Sequence, residues 1–284
     1  MRDDFAAFIL THQRPHTIYT LEALADVGYT GRIYLVVDDA DPTLDVYREK
    51  YGDNVLTFSK ENIAERFDEG DNFRKRQSIF YARNACFDLA GQIGVRYFIE
   101  LDDDYTTFDY ALSPDNRYLT QNMDIKQMDR ILEALVDFLA SVPYVSTVAF
   151  AQGGDFIGGA DNGILTKAFA RKAMNTFICD AERPFPFRGK INEDVNTYTE
   201  QSRSGLVLLT YPRLRMDQKR TQTNPGGMTD LYLDAGTYVK SFYSVMYAPS
   251  CVTIRDMGRI NRRLHHRVDW NAAAPKILPE TARK

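Results

Sequence analysis

Arg96-Tyr97-Phe98-Ile99-Glu100-Leu101-Asp102-Asp103-Asp104-Tyr105 is an apolar run that ends in charge. Tyr97, Phe98, Ile99 and Leu101 are strand formers in close succession, so the first half predicts a buried strand. Three consecutive carboxylates follow. Their mutual repulsion at the mouth of a packed sheet needs compensation. A divalent cation supplies it, and oxygen ligands suit Mg2+ or Mn2+. Ligands of open α/β sheets bind beyond the carboxyl ends of strands, which is where this triplet falls. The competing reading is a solvated acidic turn, which so apolar a run without Gly or Pro disfavours.

The chain before the triplet alternates. Phe5-Ala6-Ala7-Phe8-Ile9-Leu10 predicts a central strand, and Thr11-His12-Gln13-Arg14-Pro15 a loop. Ile18, Leu21, Leu24, Ala25 and Val27 recur at helical spacing, with Gly28 or Gly31 as the stop. Ile33 to Val37 is a second strand, closing on Asp38-Asp39. A short helix from Leu44 to Tyr51 and a strand at Val55 to Phe58 continue the pattern. Residues 59–72 read as a polar loop, and Phe73 to Ile93 as one long amphipathic helix. Such alternation predicts a parallel sheet covered on both faces. Thr11, Asp38-Asp39 and Asp102 to Asp104 would then meet at one edge. The helix before the triplet could bring Arg83 and Asn84 there, although Arg83 reads equally well as a solvated helix residue.

Beyond Tyr105 the alternation weakens. Ile131, Leu132, Leu135, Phe138 and Leu139 mark a helix, and Val145 to Phe150 a strand. The glycine-dense Gly153 to Gly159 lacks dinucleotide-cradle spacing and reads as a mobile loop near a ligand. Residues 164–178 fit strand or helix. Asn192-Glu193-Asp194 opens a helix. Asn192 would cap it and the two carboxylates would suit its positive end; alternatively one carboxylate is a general base. Leu206 to Tyr211 is a strand. Two basic clusters follow: Arg213, Arg215, Lys219 and Arg220, then Arg255, Arg259, Arg262, Arg263, His265, His266 and Arg267. Each is either a solvated face or a partner for phosphate. A late His could also complete a metal site.

The bulk numbers are those of an ordinary globular chain: 284 residues, 44% apolar, 26% charged, formal net charge −4. That charge excludes a global basic footprint for nucleic acid but not a local one. Cys86, Cys179 and Cys251 are odd in number and lack zinc spacing, so no disulfide framework or zinc site is expected. With no apolar leader or membrane-length run, a cytoplasmic setting is expected.

The ordered set of Leu101-Asp102-Asp103-Asp104, Ala82-Arg83-Asn84, Asp38-Asp39, Asn192-Glu193-Asp194 and His265-His266 resembles a glycosyltransferase of the GT-A fold. A narrower resemblance rests on four stretches. They are Phe8 to Pro15; Gly28-Tyr29-Thr30-Gly31 with Ile33 to Asp39; Gly70-Asp71-Asn72-Phe73; and Tyr81 to Asp88. These are similar to the TET-associated glycosyltransferases of bacteriophages, which are implicated in placing sugars on 5-hydroxymethylated pyrimidines in DNA. Gln13 departs from the Gly expected between His12 and Arg14.

The resemblance implies an α/β, GT-A-like fold: a mostly parallel central sheet with helices on both faces, in one domain over 1–284. Residues 1–105 would be its nucleotide-sugar half, and 106–284 its acceptor half with the basic C-terminal segment. It implies that Thr11 and Arg14 sit by the donor nucleotide, that Asp38 or Asp39 holds its base or ribose, and that Arg83 lines the pocket. Asp102 would face the ribose and Asp104 would bind Mn2+ or Mg2+ on the diphosphate, with Asp103 between these roles. His265 or His266 would be the remaining metal ligand. Asp194 or Glu193 would serve the acceptor, and Arg213, Arg215, Lys219, Arg220, Arg262 and Arg263 would contact DNA. The expected donor is a UDP-sugar and the expected acceptor 5-hydroxymethylcytosine DNA, with no membrane or protein partner. Two other readings stand beside it: a glycan or small-molecule acceptor, or a non-catalytic nucleotide-sugar or DNA-binding module.

Overall fold

The computed structural model describes residues 1–71, 75–156, 172–219, 238–257, 263–274 and 280. The first hundred residues alternate as β1 (Phe5–Leu10), α1 (Tyr19–Asp26), β2 (Arg32–Asp38), α2 (Leu44–Tyr51), β3 (Val55–Phe58), α3 (Lys60–Arg66), α4 (Phe80–Gln92) and β4 (Tyr97–Asp102). Then come β5 (Tyr105–Leu112), β6 (Tyr118–Asp124), α5 (Met128–Ser141), β7 (Val145–Gln152), β8 (Phe177–Asp180), α6 (Glu193–Arg203), β9 (Val207–Gln218) and α7 (Val239–Tyr247). β10 (Val252–Met257) and β11 (Arg263–Val268) form a separate antiparallel ribbon.

The main sheet runs β3-β2-β1-β4-β8-β7-β9-β5-β6. Its first four strands are parallel, as the alternation demands. Beyond β4 the sheet is mixed: β8 is antiparallel to both neighbours, β7 and β9 are parallel, and β5 and β6 fold back as antiparallel strands. The α/β class read from the sequence is therefore the class of the fold.

β1 shows how the layers arise. All six of its residues are buried, because helices cover both faces. Phe5, Ala7 and Ile9 join one cluster with Ala23 and Leu24 of α1, Tyr47 of α2 and Leu132, Leu135 and Leu139 of α5. Ala6, Phe8 and Leu10 join the opposite cluster with Ile63 of α3, Phe80, Tyr81, Ala85, Cys86 and Leu89 of α4 and Val195 and Tyr198 of α6. The same period of two governs β4, so Phe98, Glu100 and Asp102 lie on one side of the strand and Tyr97, Ile99 and Leu101 on the other.

Several expectations are corrected. Residues 60–66 are helical, not loop; Ser59 caps this helix by accepting from the Asn62 amide. α4 begins at Phe80 instead of Phe73. It is buried nearly all round, Arg83 and Asn84 included, so an amphipathic pattern does not describe it. Gly28, at φ +74°, ends α1 in the left-handed region, and a Cβ there would meet the Lys126 carbonyl at 2.9 Å. β9 runs on to Gln218, past the predicted end at Tyr211, because its second half pairs with β5. Asn192 does not cap α6: it sits at φ 60°, ψ 37°, and its side chain reaches Ser244 and His266 instead. Of the glycine-dense stretch, Gly153–Phe156 is a short 3-10 turn, and 157–171 lies outside the described residues.

Candidate active site

The carboxyl ends of β1, β2 and β4 form the cleft. Its walls include Thr11, His12 and Arg14 after β1, Asp38 at the end of β2, Phe58 and Lys60 after β3, and Asp102, Asp103 and Asp104. Gln77, Ser78, Ile79 and Ala82, at the approach to α4, close another side. The backbone of the triplet is pinned from two directions. The Thr20 hydroxyl on α1 donates to the Asp102 carbonyl at 2.6 Å, and the Lys219 amide at the end of β9 donates to the Asp104 carbonyl at 3.1 Å.

The three carboxylates have separate partners. Asp102 accepts from Arg83 Nη2 at 3.1 Å. Asp103 is buried, accepting from Thr11 Oγ1 at 2.7 Å and from Arg14 Nη1 at 2.9 Å. The Tyr47 hydroxyl lies 2.8 Å from the Thr11 hydroxyl and accepts from the Arg14 amide at 2.9 Å, so α2 fixes the same loop. Asp104 has no ion pair among the described residues. Burial and its Asp103 neighbour push its carboxyl up to about 6. Burial also pushes Asp102 up to about 7, with Arg83 opposing.

Arg83 is the hub of the site. It is 1% exposed and does not line the cleft, contrary to the expected role. Its Nη1 donates to Glu100 at 3.3 Å, Nη2 to Asp102 at 3.1 Å and Nε to Glu193 at 3.3 Å. The guanidinium also lies over the rings of Phe177 and Phe187, at 4.7 and 5.8 Å. One buried cation thus joins the triplet to the first turn of α6. Glu193 is raised by burial and by its neighbour Asp194, and Asp194 is raised by burial. Asn84 exchanges two hydrogen bonds with the Phe187 backbone, so its part is to hold the segment that leads to α6.

The remaining residues divide. Asp38 lines the cleft and pairs with Lys60 at 2.6 Å, while Asp39 is exposed. His266 lies 3.4 Å from the side-chain amide of Asn192, the residue that precedes Glu193 and Asp194 in the chain. Burial, with His265, Lys240 and Lys172 nearby, lowers its pKa to about 4. Among the described residues no three His, Cys, Asp or Glu side chains gather as a metal cage, so neither His265 nor His266 is brought into one with Asp104. Arg215 is 7% exposed, within the sheet beside Asp109 and Asp217, and so presents no surface charge to a partner. Arg213 holds the β5–β6 turn through Pro114 and Asn116. Lys219 stands 3.6 Å over the Tyr19 ring, close to the triplet it helps to pin. Arg220 and Arg262 lie outside the described residues, and only the backbone of Arg263, in β11, is described.

Sequence reasoning missed Lys60, because 59–72 read as loop, and Tyr47, whose polar tip a core aromatic does not advertise. It also missed Glu100, whose charge inside a strand was the signal available.

Residues 5–227 match the model of the TET-associated glycosyltransferase family. The chain belongs to this family. It is a glycosyltransferase, and the match spans β1 to β9 and every cleft residue named above. In this TET-associated glycosyltransferase α7, β10 and β11 lie beyond the match. No curated protein matches the sequence. Among solved structures it is similar to glucosyl-3-phosphoglycerate synthase from Mycobacterium tuberculosis in complex with Mg2+ and UDP. That likeness has 10% identity and a TM-score of 0.47, over 93% of this chain and 87% of the other. It is also similar to the mannosyltransferase PcManGT from Pyrobaculum calidifontis in complex with GDP-Man and Mn2+. There the identity is 14% and the TM-score 0.45, over 87% and 74% of the two chains.

Proposed function

We propose that this glycosyltransferase moves a sugar from a nucleotide-sugar donor, a UDP-sugar first among them, to the hydroxymethyl group of 5-hydroxymethylcytosine in DNA, with a divalent cation at Asp104. The observation that carries the reading is the division of labour in the triplet. Asp102 and Asp103 are each engaged by an arginine, which leaves Asp104 as the carboxylate in the cleft with no ion pair among the described residues. A carboxylate raised by burial and a like-charged neighbour gains most from a cation. The lack of a three-ligand cage among the described residues agrees with Mg2+, which is usually held by one or two carboxylates, waters and substrate phosphates. When bound, such an ion offsets the charge that develops on the leaving diphosphate.

The chain's own residues do the rest. Lys60 and Asp38 face the nucleoside end of the cleft, with the Phe58 ring beside them. Thr11 and Arg14, held by Asp103, shape the wall near the phosphates. Asp194 takes the proton from the acceptor hydroxyl, while Glu193 is occupied by Arg83 and orients the turn. The three cysteines are unpaired and buried, which suits the cytoplasm, where DNA and donor are both at hand. No helix among the described residues is long and apolar enough to cross a membrane.

Incubation with 5-hydroxymethylcytosine DNA and a panel of nucleotide sugars, followed by nucleoside mass analysis, tests the proposal. We expect one donor to add its sugar mass, and Asp104→Asn to lower the rate by about 10²–10³-fold. Sugar transfer to a glycan or protein acceptor, with none to modified DNA, would overturn it.

A further inference from the structure

We propose that the β10–β11 ribbon, which the family match does not include, docks in the major groove of duplex DNA through Arg255 and Arg267 on its solvent-facing side. The inference deepens the proposed DNA acceptor and rests on that reading.

Alternation gives the ribbon two unlike faces. Val252 and Val268 turn inward and pack with Ala248, Cys251, Ala273 and Trp270, and Trp270 lies 5.5 Å from the Tyr198 ring of α6. His266, also on the inner row, meets Asn192. Thr253, Arg255 and Arg267 are exposed on the opposite face. Thr253 pairs with Arg267 and Arg255 with His265, so the two arginines are diagonal neighbours across the ribbon. Neither makes an ion pair among the described residues. Charge singles the segment out as well. Residues 238–274 hold six basic side chains (Lys240, Arg255, Arg259, Arg262, Arg263 and Arg267) against Asp256 and Asp269, in a chain of net charge −4.

A chain this acidic repels a polyanion except where such a local field reverses the sign. Shape selects among polyanions. The major groove of B-DNA, roughly 12 Å wide, admits a two-stranded ribbon, whereas the deep narrow major groove of duplex RNA does not. Position completes the case. The inner row of the ribbon touches Asn192, the residue before Glu193 and Asp194, so the ribbon is anchored at the start of the helix that carries the proposed base. The hydroxymethyl group of the target pyrimidine projects into that same groove.

The test is binding of the full-length chain to a fluorescent 5-hydroxymethylcytosine duplex across a salt series. Arg255→Glu with Arg267→Glu is compared with Arg48→Glu with Arg117→Glu, a pair that makes the same charge change at exposed sites elsewhere. The ribbon pair should weaken the duplex by at least about tenfold and reduce the slope of log K on log salt by about 2. The control pair should leave the slope unchanged. An unaltered thermal midpoint shows that the ribbon variants fold. Equal losses in the two pairs overturn the inference, as does a wild-type preference for the single-stranded oligonucleotide, or dimerisation through the ribbon without DNA binding. The two readings fail separately. Wild-type sugar transfer to duplex DNA with an unchanged KM in the ribbon pair sinks the ribbon alone. Tight ribbon-dependent binding without transfer from any donor sinks the acceptor assignment alone.

Discussion

Arg83 shows what one residue can set in this site. Its charge is fully buried, which would be prohibitive without the three carboxylates and two rings around it. Arg83→Met would leave Glu100, Asp102 and Glu193 without their common partner, and we expect a loss of about 3–5 kcal/mol of stability by denaturant unfolding. A loss under about 1 kcal/mol would mean that the carboxylates find other partners. Glu100 gives a pH prediction. Burial raises its carboxyl to about 8, with Arg83 opposing. A carboxyl raised in the folded chain keeps a proton that the unfolded chain releases. Its contribution to stability is therefore complete at acid pH and lost as pH rises from the ordinary Glu value towards about 8. Glu100→Gln cannot titrate, so its melting temperature relative to wild type should climb between about pH 5 and pH 8. A pH-independent difference would contradict this assignment. Gln13 belongs to the same scale. It holds φ +57°, a conformation that glycine adopts freely, which explains why Gly suits that position in the resembled motif.

At the scale of elements, the start of α6 matters most. Asn192 accepts the left-handed conformation, and its side chain spans from Ser244 of α7 to His266 of the ribbon. Asn192→Ala removes those bonds and puts a Cβ of no polar compensation in the left-handed region. It should cost about 2 kcal/mol and loosen the ribbon, seen as faster amide exchange in β10 and β11. Unchanged exchange there would show that the ribbon is held by Val252, Val268 and Trp270 alone. The sequence did show a helix at Glu193 and Asp194, but local pattern offered a cap where the fold built a joint. α4 repeats the lesson, since Arg83 reads equally well as a solvated residue until Phe177, Phe187 and β4 are packed around it.

At the scale of the whole molecule, one sheet ties β1–β4 to β5–β9. Chain order would divide it near residue 105, yet β8 sits beside β4 with β7 next, and β5 lies near the far edge. The cluster that holds Phe5, Ile9 and Leu101 also holds Phe150, Ile178, Leu214 and Met216. We therefore expect one cooperative thermal transition, and no stable fold for residues 1–105 alone, which would expose the β4 edge. Two separable calorimetric transitions would show independent halves.

The sequence by itself determined the parallel half of the sheet and the edge on which the cleft lies, because apolar runs with polar ends are local patterns with a fixed period. It also exposed the triplet and the Glu193-Asp194 pair, because adjacent carboxylates are costly wherever they fall. Only the tertiary structure decided which carboxylate has which partner. Asp102, Asp103 and Asp104 are chemically identical neighbours in sequence, and they differ because Arg83 comes from α4, Arg14 from the loop after β1, and no ion-pair partner among the described residues reaches Asp104. Long-range contact also buried Arg215 against Asp109 and left Arg255 and Arg267 exposed on the ribbon, which charge counting along the chain cannot distinguish.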